Sequence, residues 1–91
     1  MNDQKFSAGA IYATCGVRPM IDSGAVNPHE LLRRHFSGDW GKVCDEDKAA
    51  NDAAVTDGTR ILSAYEVGDE TVWIITEADR SATTILLPME Y

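Results

Sequence analysis

The chain has 91 residues, 44% of them apolar and 25% charged, and its fifteen acids against eight Lys and Arg leave a formal charge of −7. That length holds one domain, since a separate core needs roughly 50 residues or more. The negative field repels phosphate backbones, which disfavours direct nucleic-acid binding and suits a basic partner surface, although simple solubility is the plainer use of the acids.

Met1–Lys5 (M-N-D-Q-K) is polar and unpatterned. Residues 1–9 therefore read as a flexible N-terminus, and 10–91 as a single α+β domain. Ala10–Thr14 contains Ile11 and Tyr12, both suited to a strand. Thr14 is placed to cap a short helix over Cys15–Ser23, where Pro19 falls near the first turn and Gly24 suits the stop. Asn27-Pro28-His29-Glu30 is a strong helix start. Asn27 caps, Pro28 takes the first helical position, and Glu30 is placed to reach back to the cap's own N–H. Leu31, Leu32, His35 and Phe36 then recur at helical spacing until Ser37-Gly38.

Gly38-Asp39-Trp40-Gly41 brackets a large aromatic residue between glycines, the pattern of a turn that plants Trp40 in the core. A third helix is expected over about Asp45–Thr56, with its acids at the favourable end of the dipole. Its buried face would consist of Ala49, Ala50, Ala53 and Ala54, and Asp57-Gly58 would close it. Ile61–Val67, Thr71–Glu77 and Thr83–Leu87 are rich in branched and aromatic residues. With turns at Gly68-Asp69-Glu70 and Ala78–Ser81 they read as an antiparallel meander, joined by Ala10–Thr14 as a fourth strand. The expected architecture is an antiparallel sheet of three to four strands, in chain order β-α-α-α-β-β-β, with short helices on one face.

Alternation along the central strand sends Trp73 and Ile75 to one side and Val72 and Ile74 to the other. Short helices on one side cannot cover two apolar faces. A face left open, assigned to Val72 and Ile74, predicts a dimer or partner surface, unless the helices wrap an edge or these side chains are half-buried.

Signs of site chemistry are few. His29 and His35 sit six apart, on different sides of a helix, and neither they nor Cys15 and Cys44 show zinc spacing. His35 is expected to pack beside Phe36. Arg33, Arg34 and His35 form the one basic cluster, read as a solvated helix face. No G-x-S-x-G elbow or P-loop ending is present, and no cofactor is expected. Glu77-Ala78-Asp79-Arg80 is the most organised polar cluster. Glu77 and Asp79 can hold Arg80 through charge-assisted bonds, and Asp79 can bind backbone N–H groups two residues on. A pinned hairpin and a partner anchor are both consistent with it. No apolar run exceeds the four residues Val72–Ile75, too short for a membrane span, and no signal-peptide pattern opens the chain. The expected compartment is the cytoplasm, with both cysteines reduced.

Gly38-Asp39-Trp40-Gly41, Glu46-Asp47 with Asn51, Ser63-Ala64-Tyr65 and the run from Trp73 to Tyr91 (W-I-I-T-E-A-D-R-S-A-T-T-I-L-L-P-M-E-Y) together resemble a known family. It comprises small uncharacterised proteins of bacterial plasmids and integrated elements, some labelled plasmid-related protein or type I restriction subunit M. A modification subunit needs a cofactor-binding domain about twice this size and an Asn/Asp-Pro-Pro-aromatic motif, and this chain has neither. The resemblance therefore implies a mobile-element setting and carries over no site residues. In that setting, a small acidic protein is expected to bind a host protein complex with a basic surface and to inhibit CRISPR or restriction defence. Candidate partner-binding residues are Glu77, Asp79, Arg80, Val72, Ile74, Asp45, Glu46 and Asp47. A structural or regulatory homodimer, and a small enzyme using Cys15 or Cys44 with a histidine, are the alternatives.

Overall fold

The structure, a computed structural model, describes residues 4–91. Strand β1 (Ala10–Ala13) leads into helices α1 (Arg18–Asp22), α2 (Pro28–Ser37) and α3 (Asp45–Asp57). Strands β2 (Ile61–Val67), β3 (Glu70–Thr76) and β4 (Ala82–Leu86) follow, and a 3₁₀ turn over Pro88–Glu90 closes the chain. The fold is α+β in the expected order. The sheet order is β1-β4-β3-β2, with β1 parallel to β4 and the other pairs antiparallel. The sheet is thus mixed and not wholly antiparallel. The helical segment is long enough to carry the chain back across the sheet before β2 begins, which a parallel neighbour requires.

Local signals in the sequence explain most boundaries. The Asn27 side chain accepts a 3.2 Å hydrogen bond from the Glu30 N–H, and Pro28 opens α2. The Glu30 carboxylate does not return to the cap; it pairs with Arg33 at 2.6 Å. A fork-to-carboxylate pair one turn away outcompetes a single backbone N–H. Gly38 ends α2 in the left-handed region, at φ 94°. The first helix is shorter than expected. Thr14 enters it through its carbonyl, which accepts the Val17 and Arg18 N–H groups in a preceding turn.

All three helices lie on the sheet face formed by Val72, Ile74, Ile85 and Tyr65, together with Ile61. One cluster joins Val17, Val26 and Leu31 to Tyr65, Val72, Ile74 and Ile85. A second joins Phe6, Trp40, Ala54 and Ile61, with Phe36, Val43 and Val55 packed against it. Trp40 is 4% exposed, in the core as its glycine-flanked turn suggested. In the described part of the segment expected to be flexible, Phe6 is buried and the Lys5 N–H binds the Phe36 carbonyl at 2.8 Å. Residues 1–3 of that expectation lie outside the described residues. The alanine stripe of α3 is also corrected. Ala49, Ala50 and Ala53 are exposed, and α3 instead buries Asn51 and Ala54.

Candidate partner-binding surface

The two faces of the sheet are finished differently. Register places Tyr12, Thr84, Ile75 and Leu62 in one row on the face away from the helices, and Leu86, Trp73 and Ala64 in the next. The C-terminal tail folds over this face. The Tyr91 ring meets Trp73 edge-on at 5.8 Å, and Arg60 stacks on Tyr91 at 5.3 Å. Glu90 clasps the tail in place. Its carboxylate accepts the Thr14 hydroxyl at 2.5 Å, the Gly16 N–H at 2.8 Å and the Leu87 N–H at 2.9 Å. These bonds, that from Thr14 foremost, hold its carboxyl below the usual range. Ile75 and Leu86 are covered, but Tyr12 stays 57% exposed, Tyr91 65% and Met89 86%. Large apolar side chains this exposed mark an interaction surface when they gather on one side.

The expected open face was the wrong one of the two. Val72 and Ile74 are both 0% exposed, beneath α1 and α2, so they form core and offer no partner contact. Alternation separates the two sets correctly but carries no information on which side the helices take. Trp73, and Tyr12 in the next-but-one strand, hold the open side.

Arg80 is likewise corrected. The carboxylates of Glu77 and Asp79 do not pair with it. Its guanidinium turns inward and donates to the carbonyls of Ala54 (2.7 Å), Thr59 (2.7 Å) and Glu77 (3.1 Å), tying the β3–β4 turn to the end of α3. These bonds sustain the left-handed backbone of Arg80, at φ 60°. Asp79 accepts the Ser81 N–H at 3.0 Å, the turn expected for it, and its bonding to Ser81 keeps the carboxyl below its ordinary value. Glu77 and Asp79 stay exposed there. Asp45, Glu46 and Asp47 occupy the first turn of α3, at its far end, about 18 Å away by helical rise. The acids therefore do not form one patch. Every described Asp and Glu is exposed, so the charge faces solvent on several sides.

The other polar cluster is internal and was not foreseen. His35, 0% exposed, lies with Nδ1 2.6 Å from Ser63 Oγ and Nε2 2.9 Å from Thr76 Oγ1. Thr76 Oγ1 is 2.8 Å from Thr83 Oγ1, which donates to the Ala8 carbonyl at 2.8 Å. A carbonyl only accepts, so the chain has one direction. Thr83 must accept from Thr76, Thr76 from His35 Nε2–H, and His35 Nδ1 from the Ser63 hydroxyl. Burial, with the charge of Arg80, lowers the His35 pKa to about 3, consistent with a neutral ring. The ring also packs edge-on against Phe36 at 5.3 Å, as expected, and against Phe6. A serine on a histidine is the start of a nucleophile–base pair, yet Ser63 and His35 are both sealed from solvent. The group joins α2 to three strands and the N-terminal segment. The reading of Arg33, Arg34 and His35 as a solvated face holds for Arg33 alone. Arg34 pairs with Asp39 at 2.7 Å and stacks on Tyr65, beside a groove of about 350 Å³ that also reaches Gly41, Lys42 and Glu66.

Cys15 and Cys44 are exposed and free. Among the described residues no three His, Cys, Asp or Glu side chains converge as a metal site, and no helix is long and apolar enough to cross a membrane. No protein-family model matches the chain, and neither do the curated proteins or the solved structures.

Proposed function

We propose that this chain is a non-enzymatic interaction protein that docks on a basic surface of a larger protein complex. The carrying observation is the second sheet face, where Tyr12, Trp73 and Tyr91 stand around a short tail on a chain of net charge −7. Aromatic side chains supply large contact area at low entropic cost, and complementary charge speeds encounter. The closed interior supports the same reading, because its one serine–histidine pair has no path for a substrate. The resemblance of Trp73–Tyr91 to proteins of plasmids and integrated elements supplies the setting. There the partner is a host restriction or CRISPR complex, and binding inhibits it.

Purified defence complexes mixed with the protein and run on size exclusion test this. Co-elution that weakens with salt, together with protection of incoming DNA, is the expected result. The absence of both co-elution and protection would sink it. A homodimer through the same aromatic face is the second reading, favoured by the exposure of Tyr12 and Tyr91. Light scattering at high micromolar concentration separates the two, since a clean monomer removes it.

A further inference from the structure

Among the described residues, the outer edge of β1 is unpaired. In the parallel ladder the Ala10 and Thr14 N–H groups donate to the Ser81 and Ile85 carbonyls, both at 3.0 Å. That geometry turns the peptide groups of Ile11 and Ala13 away from β4. No strand, loop or side chain among the described residues bonds to that side. β1 also lacks the usual protections of an edge: it has no Lys, no Pro and no bulge, and only its shortness limits it. Its side chains are ready for a neighbour. Ile11, on the helix side, is 51% exposed, and Tyr12, on the open side, is 57% exposed.

Charge selects the occupant. Asp79 stands at the start of β1, through Ser81, whose carbonyl receives the Ala10 N–H. Glu90 stands at its end, on Thr14 and Gly16. We propose that the β1 edge takes an extended, basic segment of a partner protein as a fifth strand. The segment's backbone would pair with Ile11 and Ala13, its apolar side chains would lie beside Ile11 and Tyr12, and its Lys or Arg would reach Asp79 and Glu90. A second copy fits worse. Antiparallel pairing of two β1 strands would bring the Asp79 end of each copy against the Glu90 end of the other, both negative. The inference rests on the interaction-protein reading above and names the partner's chemistry.

The probe is a capped Lys-Val alternating octapeptide, titrated into the full chain while amide hydrogen exchange is followed by NMR. Saturable binding with protection gained at Ile11 and Ala13 is expected. Backbone N-methylation of the peptide on the pairing side should weaken binding at least tenfold. A Glu-Val octapeptide should not bind. Ile11→Pro, which removes an outward N–H at an edge position that tolerates proline, should weaken binding by a similar factor. If that variant does not fold, the exchange and N-methyl measurements on the unaltered chain still decide. No binding, protection elsewhere than β1, or equal binding of the N-methylated or acidic peptide would overturn the proposal. So would a peptide-free dimer that protects the same amides. Should Ile11→Pro bind a defence complex at full strength, the edge proposal fails and the interaction reading stands. Peptide docking without any defence complex fails the reading alone.

Discussion

The two edges of this sheet are built in opposite ways. At β2 the side-chain amide of Asn51 behaves as a surrogate strand: it donates to the Leu62 carbonyl at 2.8 Å and accepts the Leu62 N–H at 3.2 Å. Further along the same strand, Ala64 is bonded on both sides of its peptide, to the Trp40 carbonyl and the Lys42 N–H. Gly41 permits that approach, because a Cβ there would collide with the Ala64 carbonyl. Among the described residues nothing comparable occurs at β1. Proteins suppress edges that serve no purpose, since open ladders recruit foreign strands. One edge is capped by a buried amide and a glycine loop, and the other is the edge to which the proposed strand would add.

The contrast makes a ranked set of expectations. The largest effect belongs to the closed side's interior. His35→Leu strands the Ser63 hydroxyl and removes the donor to Thr76, and should cost roughly 2–4 kcal/mol in denaturant unfolding. Its pH signature is distinct. His35 titrates at about 3 in the fold, against 6.5 as the ordinary value. The unfolded chain therefore takes up a proton first as pH falls below 6.5. Stability should drop by up to about 1.4 kcal/mol per pH unit from there toward pH 4.5, and His35→Leu should flatten that slope. An unchanged slope would show that the ring is not held neutral. Next comes the capped edge. Asn51→Ala leaves a partly buried Leu62 peptide unpaired and should cost about 1–3 kcal/mol by thermal or urea melts. It should also create a second strand-accepting edge, detectable as faster exchange at the Leu62 amide.

Smaller still is the clasp. Glu90→Gln should loosen the tail, seen as a change in Trp73 fluorescence on loss of the Tyr91 contact, with little change in global stability. Lowering the pH of the unaltered chain should do the same only well into the acid range, because the bound carboxyl protonates below its ordinary value of 4.5. The smallest effect belongs to the open side. Tyr12→Thr should shift stability by less than about 0.5 kcal/mol, since its ring is largely solvated, while lowering affinity for any partner on that face. A large loss of stability there would erase the distinction between the two sides.

Elements set by neighbours in the chain are legible in the sequence. Asn27 with Pro28 starts α2, Gly38 and Gly58 end helices in the left-handed region, and Gly68-Asp69 turns β2 into β3. Each depends on contacts a few residues apart, where side-chain size and φ preference act directly. The α+β class and the order of its parts follow from the same signals. The site was less legible. Period two in the sequence separates Val72 and Ile74 from Trp73 and Ile75, but it is blind to which set meets the helices.

That choice belongs to the tertiary structure, as do the parallel pairing of β1, the inward turn of Arg80, and the chain of bonds from Ser63 through His35 to Ala8. Each joins residues roughly twenty or more positions apart at some link, and its energy depends on burial and direction that exist only once the layers have closed. Local rules shape the pieces; long-range desolvation and hydrogen-bond geometry decide which surface of the assembled sheet is left open.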